Sequence, residues 1–246
     1  MPNHVETIVT VTGDDKEIQS FIDTCIVEQI RKDYQGNVVN TDDGKPETFM
    51  EFDFNTIIPC PEELEGTRSP AYNQSDLDRA YNNDWSEDQI QEIKDGIKIA
   101  EECKKKYGFS NWYDFKISNW GTKWGAYRYM ERQREKGLFA MEYQTAWSPA
   151  CPIFEKLIEM YPGLTFEMSF IDEGWCFAGT MVYSKDGIVE TVVEGNSNIA
   201  QFANNNFGGS YEQCTKCEMY SMCLNDDNLC EDCEYEKEQA EKEEAE

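Results

Sequence analysis

Thr7-Ile8-Val9-Thr10-Val11-Thr12 is β-branched throughout. Such side chains suit a pleated backbone, so a strand is predicted from Glu6 to Thr12, stopped by Gly13-Asp14-Asp15. Asp14 or Asp15 then caps a helix whose apolar positions Ile18, Phe21, Ile22, Cys25 and Ile26 recur at three and four, the spacing of one buried face. Gly36 to Lys45 is a polar turn region. Phe49, Met50, Phe52, Phe54, Ile57 and Ile58 predict an extended segment, ended by Pro59-Cys60-Pro61. From Glu62 to about Tyr107 the texture becomes charged and rich in Asn and Asp. Within it Ser86-Glu87-Asp88-Gln89 has the form of a capped helix start, followed by Ile90, Ile93, Ile97 and Ala100 at helical spacing. The densest aromatic segment comes next, Trp112-Tyr113-Phe115 and then Asn119 to Trp124. Beyond it the pattern predicts a strand from Phe139 to Trp147, a helix opened by proline from Pro152 to Met160, and a strand from Leu164 to Phe170. A final hairpin follows, Trp175 to Tyr183 and Ile188 to Val193, about the turn Lys185-Asp186-Gly187.

Two strand-helix-strand passes with antiparallel additions predict an α+β sandwich, one mixed or antiparallel sheet with helices on one face. The expected layout is a domain over 1–195 with a helical insertion at 62–110, a linker at 196–213, a cysteine module at 214–233 and an acidic tail at 234–246. The Asn-rich stretch with Gly208-Gly209 suggests the linker, and the Glu- and Lys-rich tail reads as disordered or a frayed helix.

Five of the ten cysteines fall near the end, as Cys214-x2-Cys217, a lone Cys223 and Cys230-x2-Cys233. Each short Cys-x2-Cys turn aims two thiolates at one point, and two such turns complete a tetrahedral site, so a structural zinc on Cys214, Cys217, Cys230 and Cys233 is expected. An iron-sulfur cluster or an empty thiol-rich segment are the other readings, and Cys223 is a possible substitute ligand. A closed four-sulfur site leaves no open position for substrate. Cys25, Cys60, Cys103, Cys151 and Cys176 are scattered among apolar residues and read as small core hydrophobes.

Charge narrows the partners. The 246 residues carry 49 acidic against 22 basic side chains, a formal net charge of −27 with a pI near 4.3. Bare phosphate backbones and anionic membranes are repelled by such a surface, whereas basic proteins are attracted. The simplest reading of the acidity is solubility. The start, Met1-Pro2-Asn3-His4-Val5-Glu6, lacks the basic and apolar regions of a secretory signal, and no stretch approaches a membrane span, so a cytosolic protein with reduced thiols is expected.

Several phrases together resemble the YubB-type ferredoxin-like domain of bacteriophage and plasmid proteins. They are Phe54 to Leu64, Trp112-Tyr113-Asp114, Asn119-Trp120-Gly121-Thr122-Lys123-Trp124 and Thr145-Ala146-Trp147-Ser148-Pro149. The resemblance spans about residues 1 to 195 and implies a ferredoxin-like α+β fold and a mobile-element origin, with no activity. Two features depart from it: the family's opening carries Trp-Cys where this chain has His4-Val5, and the C-terminal cysteine group lies outside the pattern.

Trp120, Lys123, Trp124 and Trp147 are the candidate ligand-binding residues, since exposed tryptophans stack on planar ligands and a lysine meets phosphate; packed anchors are the competing reading. Catalysis finds little support: His4 is the only histidine, and phosphate loops and zinc-protease helices are absent. Paired acids such as Glu62-Glu63 and Asp172-Glu173 read as solvated. The function expected first is a non-enzymatic acidic protein of phage or plasmid origin that binds and modulates a host protein with a basic surface, such as a defence component or a nucleic-acid-binding enzyme. The alternative is a module holding a nucleotide or single-stranded nucleic acid in a tryptophan-lined groove. Third comes an enzyme using acidic residues and a divalent metal.

Overall fold

A computed structural model describes residues 3–221 and 224–244; Cys223 lies outside the described residues. Strand β1 (His4–Thr12) leads into α1 (Asp15–Cys25), which the Asp14 carboxylate caps by accepting from the Lys16 N–H. Strands β2 (Ile26–Ile30) and β3 (Thr48–Phe52) form a separate two-stranded arm. A single 3-10 turn at Phe54–Thr56 follows. The helices α2 (Glu62–Glu65), α3 (Gln74–Asn82), α4 (Glu87–Tyr107) and α5 (Trp112–Trp120) come next. The chain then runs β4 (Tyr127–Glu135), β5 (Leu138–Ala146), α6 (Cys151–Met160), β6 (Thr165–Asp172), β7 (Ala178–Ser184) and β8 (Gly187–Val193). It closes with α7 (Asn196–Asn206), β9 (Glu212–Gln213), β10 (Tyr220–Ser221) and α8 (Glu231–Glu244).

The main sheet has the order β4-β5-β1-β6-β7-β8 with every neighbouring pair antiparallel. Its succession β1-α1-β4-β5-α6-β6 is the split β-α-β-β-α-β of a ferredoxin-like fold, extended by the β7-β8 hairpin. Alternation along β1 decides which face is covered. Val5, Val9 and Val11 are fully buried, and their register partners Met141, Phe139, Met168 and Phe166 share that face. Onto it α1 lays Ile18, Phe21, Ile22 and Cys25, and α6 lays Ile153, Phe154 and Leu157. The Phe21 ring meets Phe52, Phe139, Tyr161 and Phe166 edge-on at 5.5–6.2 Å between centroids.

Several expectations need correcting. Ile26 does not extend α1; it opens β2. The extended run expected from Phe49 to Ile58 stops at Phe52 and turns, because Asp53 caps the 3-10 turn through the Asn55 N–H. The aromatic segment from Trp112 is helical, opened by the Asn111 cap and closed by Gly121 in the left-handed region, φ +78. Strand β4 was not anticipated, since its residues are mostly polar and it lies at an edge. The stretch expected to be a linker forms α7, which buries Ile199, Ala200 and Ala203, the first and last packing on Ile171 and Ala178 at one end of the sheet's other face. The tail is helical in its described part, through Glu244. Cys176 is exposed rather than core, while Cys25 and Cys103 are buried.

Candidate metal centre and aromatic surface

The first knuckle is built by the β9-β10 hairpin. Cys214 directly follows β9, its N–H donates to the Met219 carbonyl, and its own carbonyl accepts from Glu218 N–H, which closes a tight turn around Lys216 and Cys217. The second is shaped by Asn225, whose carboxamide oxygen accepts from the N–H groups of both Asp227 and Leu229. That loop delivers Cys230 just before α8 and Cys233 within its first turn. Lys216 pairs with Glu236 and Lys237 with Asp227, tying α8 to both loops.

Cys214, Cys217, Cys230 and Cys233 thereby place their four sulfurs within 4.8 Å of one another. The Cys217 and Cys230 sulfurs are 3.7 Å apart. Zinc–sulfur bonds of about 2.3 Å in a tetrahedron give sulfur–sulfur edges of about 3.8 Å, so the donor set fits a single ion. A multi-iron cluster would hold its cysteines further apart. Backbone N–H groups of Cys217 and Cys230 hold the Cys214 thiol down to about 6, poised to ionise. Burial and the three neighbouring thiols push Cys233 up to about 12. Four thiolates crowded at one point repel one another, and a cation at their centre would remove that repulsion.

The aromatic residues divide. Trp120 is core: it is 2% exposed, its indole N–H donates to the Ile58 carbonyl at 2.8 Å, and its ring meets Phe54. Of the two readings of Trp120, packed anchor and groove lining, its burial favours the anchor. Gly121 lets the chain turn beside α6, since a Cβ there would sit 2.7 Å from Pro152 Cδ. Thr122 then latches onto the other motif, its hydroxyl donating to the Ala146 carbonyl at 2.8 Å and accepting from the Ala146 N–H. Ser148 closes the latch by donating to the Gly121 carbonyl. The two phrases are therefore one structural unit.

Beyond the latch Trp124 and Trp147 reach the surface, 39% and 41% exposed. The Lys123 ammonium lies between them, 4.7 Å from one ring centroid and 4.9 Å from the other. Trp147 holds φ +71, a conformation costly for a bulky residue by roughly 1–3 kcal/mol. Tyr113 meets its ring edge-on.

Sequence reasoning missed a third cluster on the sheet's other face. A cavity of about 300 Å³ is lined by His4, Glu6, Arg128, Asp172 and Trp175 together with the end of α7. Tyr127 donates its hydroxyl to the Thr145 carbonyl at 2.9 Å and accepts from His4 Nδ1 at 2.7 Å, which places the imidazole proton on Nδ1. Burial and the neighbouring Glu142 carboxylate raise the Glu6 pKa, against the pull of Arg132 and Arg128. Asp172, expected to be solvated, is 1% exposed and accepts from Gly174 N–H, Cys176 N–H and Asn3. The left-handed φ values of Arg128 and Trp175 leave no trace in a sequence pattern.

Residues 123–213 match the family model described as a ferredoxin-like domain in Api92-like protein. That segment is similar to the ferredoxin-like domain of Api92-like proteins. The matched segment begins inside the Asn119–Trp124 phrase, includes Thr145–Pro149 and takes in α7, so the stretch expected to be a linker falls within the matched segment. Phe54–Leu64 and Trp112–Asp114 lie outside it. The crystal structure of Api92 from Yersinia pseudotuberculosis is similar at 8% identity and a TM-score of 0.40, covering 79% of this chain and 100% of that one. No curated protein matches the chain. Among the described residues no helix is long and apolar enough to cross a membrane.

Proposed function

We propose that this chain is a non-enzymatic interaction protein of phage or plasmid origin, working in the host cytosol, which grips a basic host protein and modulates it. The observation that supports the reading is the Trp124–Lys123–Trp147 arrangement on a molecule of net charge −27. Two exposed rings already receive an ammonium group, and the same faces accept a lysine or arginine of a partner when Lys123 swings aside. The acidic surface supplies the long-range attraction that brings such a partner in. A nucleotide groove is less well supported, because Trp120 is committed to the core and the two remaining rings face a cation. Zinc on the four cysteines fixes the C-terminal module as a structural staple with no open coordination position. Host defence components and nucleic-acid-binding enzymes are partners of the required charge.

Capture from bacterial lysate, identification of the bound protein and titration of the purified complex test the reading. Trp124→Ala combined with Trp147→Ala should weaken that complex about tenfold or more, as loss of aromatic anchors does, without changing the melt. A complex unaffected by the double substitution, or an acidic captured partner, contradicts it.

A further inference from the structure

The six-stranded sheet ends in two edges of opposite character. Strand β4 carries Arg128, Arg132, Arg134, Glu131 and Glu135, and its register against β5 slips between Tyr127 and Met130 and again between Glu131 and Gln133. Charges and bulges of this kind keep an edge from pairing with other chains. Strand β8, Gly187-Ile188-Val189-Glu190-Thr191-Val192-Val193, has one charge, no proline or lysine, and unbroken register with β7 along its length. Ile188, Val189 and Val192 stand 44%, 63% and 58% exposed. Helix α6 reaches β7, and α7 covers only the Val193 end.

Backbone direction follows from the two-residue turn at Lys185-Asp186. The alternation it sets turns Val189 and Thr191 toward β7, and the Thr191 carbonyl accordingly lies 2.7 Å from where a Cβ on Gly179 would sit. Ile188, Glu190 and Val192 therefore aim N–H and C=O groups away from the sheet, and their side chains share one face.

We propose that β8 is a docking edge that takes an extended basic segment of another protein as a seventh strand. Main-chain hydrogen bonds give such an interaction its affinity and alternate side chains its specificity. Charge selects the occupant. A second copy brings its own −27 and, in two-fold antiparallel pairing centred on the strand, sets Glu190 against Glu190. A segment with lysine opposite Glu190, flanked on that face by apolar residues opposite Ile188 and Val192, satisfies all three positions. The sign of the partner's charge rests on the function proposed above, whereas strand pairing does not, and the test separates them.

The probe is the peptide acetyl-Lys-Val-Thr-Lys-Thr-Val-Lys-amide, titrated into isotopically labelled full-length protein, beside the same peptide N-methylated at alternate residues. Both carry the same charge. Amide shifts should concentrate at Ile188, Glu190 and Val192, and N-methylation should weaken binding at least tenfold. Val192→Pro, which removes an outward N–H, should weaken the parent peptide similarly. Equal binding of the two peptides would show attraction without strand pairing and overturn the proposal while leaving the electrostatic reading intact. Absence of binding, shifts located elsewhere, or a dimer of the free protein that Val192→Pro abolishes would also overturn it. If Val192→Pro fails to fold, the comparison of the two peptides still decides.

Discussion

Trp120 and Trp124 are four residues apart in one phrase and have opposite roles. The first fills the space under α5, with its N–H satisfied by Ile58, and the second stands at the surface beside Lys123. Trp120→Ala should therefore destabilise by roughly 3–5 kcal/mol, the cost of emptying a large aromatic site, while Trp124→Ala should leave the melt nearly unchanged. Thermal melts of the two variants check this, and equal losses would mean that Trp124 also belongs to the core. Glu51 offers a pH-dependent counterpart. Burial, with Asp53 nearby, raises its carboxyl from 4.5 to about 6. A raised carboxyl favours the protonated folded state, so Glu51 costs nothing below its unfolded value and becomes a burden as pH rises through about 6. Glu51→Gln should raise the melting temperature at pH 8, and the gain should shrink across the interval from 6 down to 4.5. A gain that is constant with pH would assign the effect to packing instead.

The element scale shows what a sequence pattern carries. Strand β1, α1, α4, β5 and α6 were legible because each obeys a single period and begins or ends at a capping residue, proline or glycine. Strand β4 was not, since only Tyr127 and Tyr129 at its start are half-buried and the rest of this edge strand is exposed and mostly polar, with no alternation to read. Helix α5 was obscured because its aromatic residues point both to the core and to the surface. Helix α7 was hidden by its asparagines, and only three small or aliphatic residues, Ile199, Ala200 and Ala203, betray the buried side. The clustering of Cys214, Cys217, Cys230 and Cys233 was legible because the Cys-x2-Cys spacing is itself the geometry, whereas the His4 cavity is assembled from distant strands and was invisible. The cysteine module is poor in apolar residues, its buried set among the described residues being Leu229 with Cys214 and Cys233. It should depend on its ion, since structural zinc contributes roughly 10–16 kcal/mol apparent in small modules. Purified protein should hold about one zinc per chain, and Cys214→Ser should release it and expose residues 212–233 to hydrogen exchange while β1 to β8 stay protected. A metal-free chain with a protected C-terminal module would refute this.

For the whole molecule, the dominant quantity is charge. The excess of 49 acidic over 22 basic residues is spread along the chain, and the tail from Glu234 onward accounts for seven glutamates against Lys237 and Lys242. A surface of one sign attracts an oppositely charged partner over distances set by the Debye length, and this appears in the association rate before the affinity. On the proposed reading the Trp124–Trp147 pair and the β8 edge act only at contact, so they would govern dissociation. The decisive measurement is the association rate of the purified complex as salt rises from about 0.1 M to about 1 M, where screening shortens from about 10 Å to about 3 Å. An acidic protein that draws in a basic partner should associate roughly tenfold or more slowly at the high end, with a smaller change in dissociation. An association rate that is indifferent to salt would contradict the account.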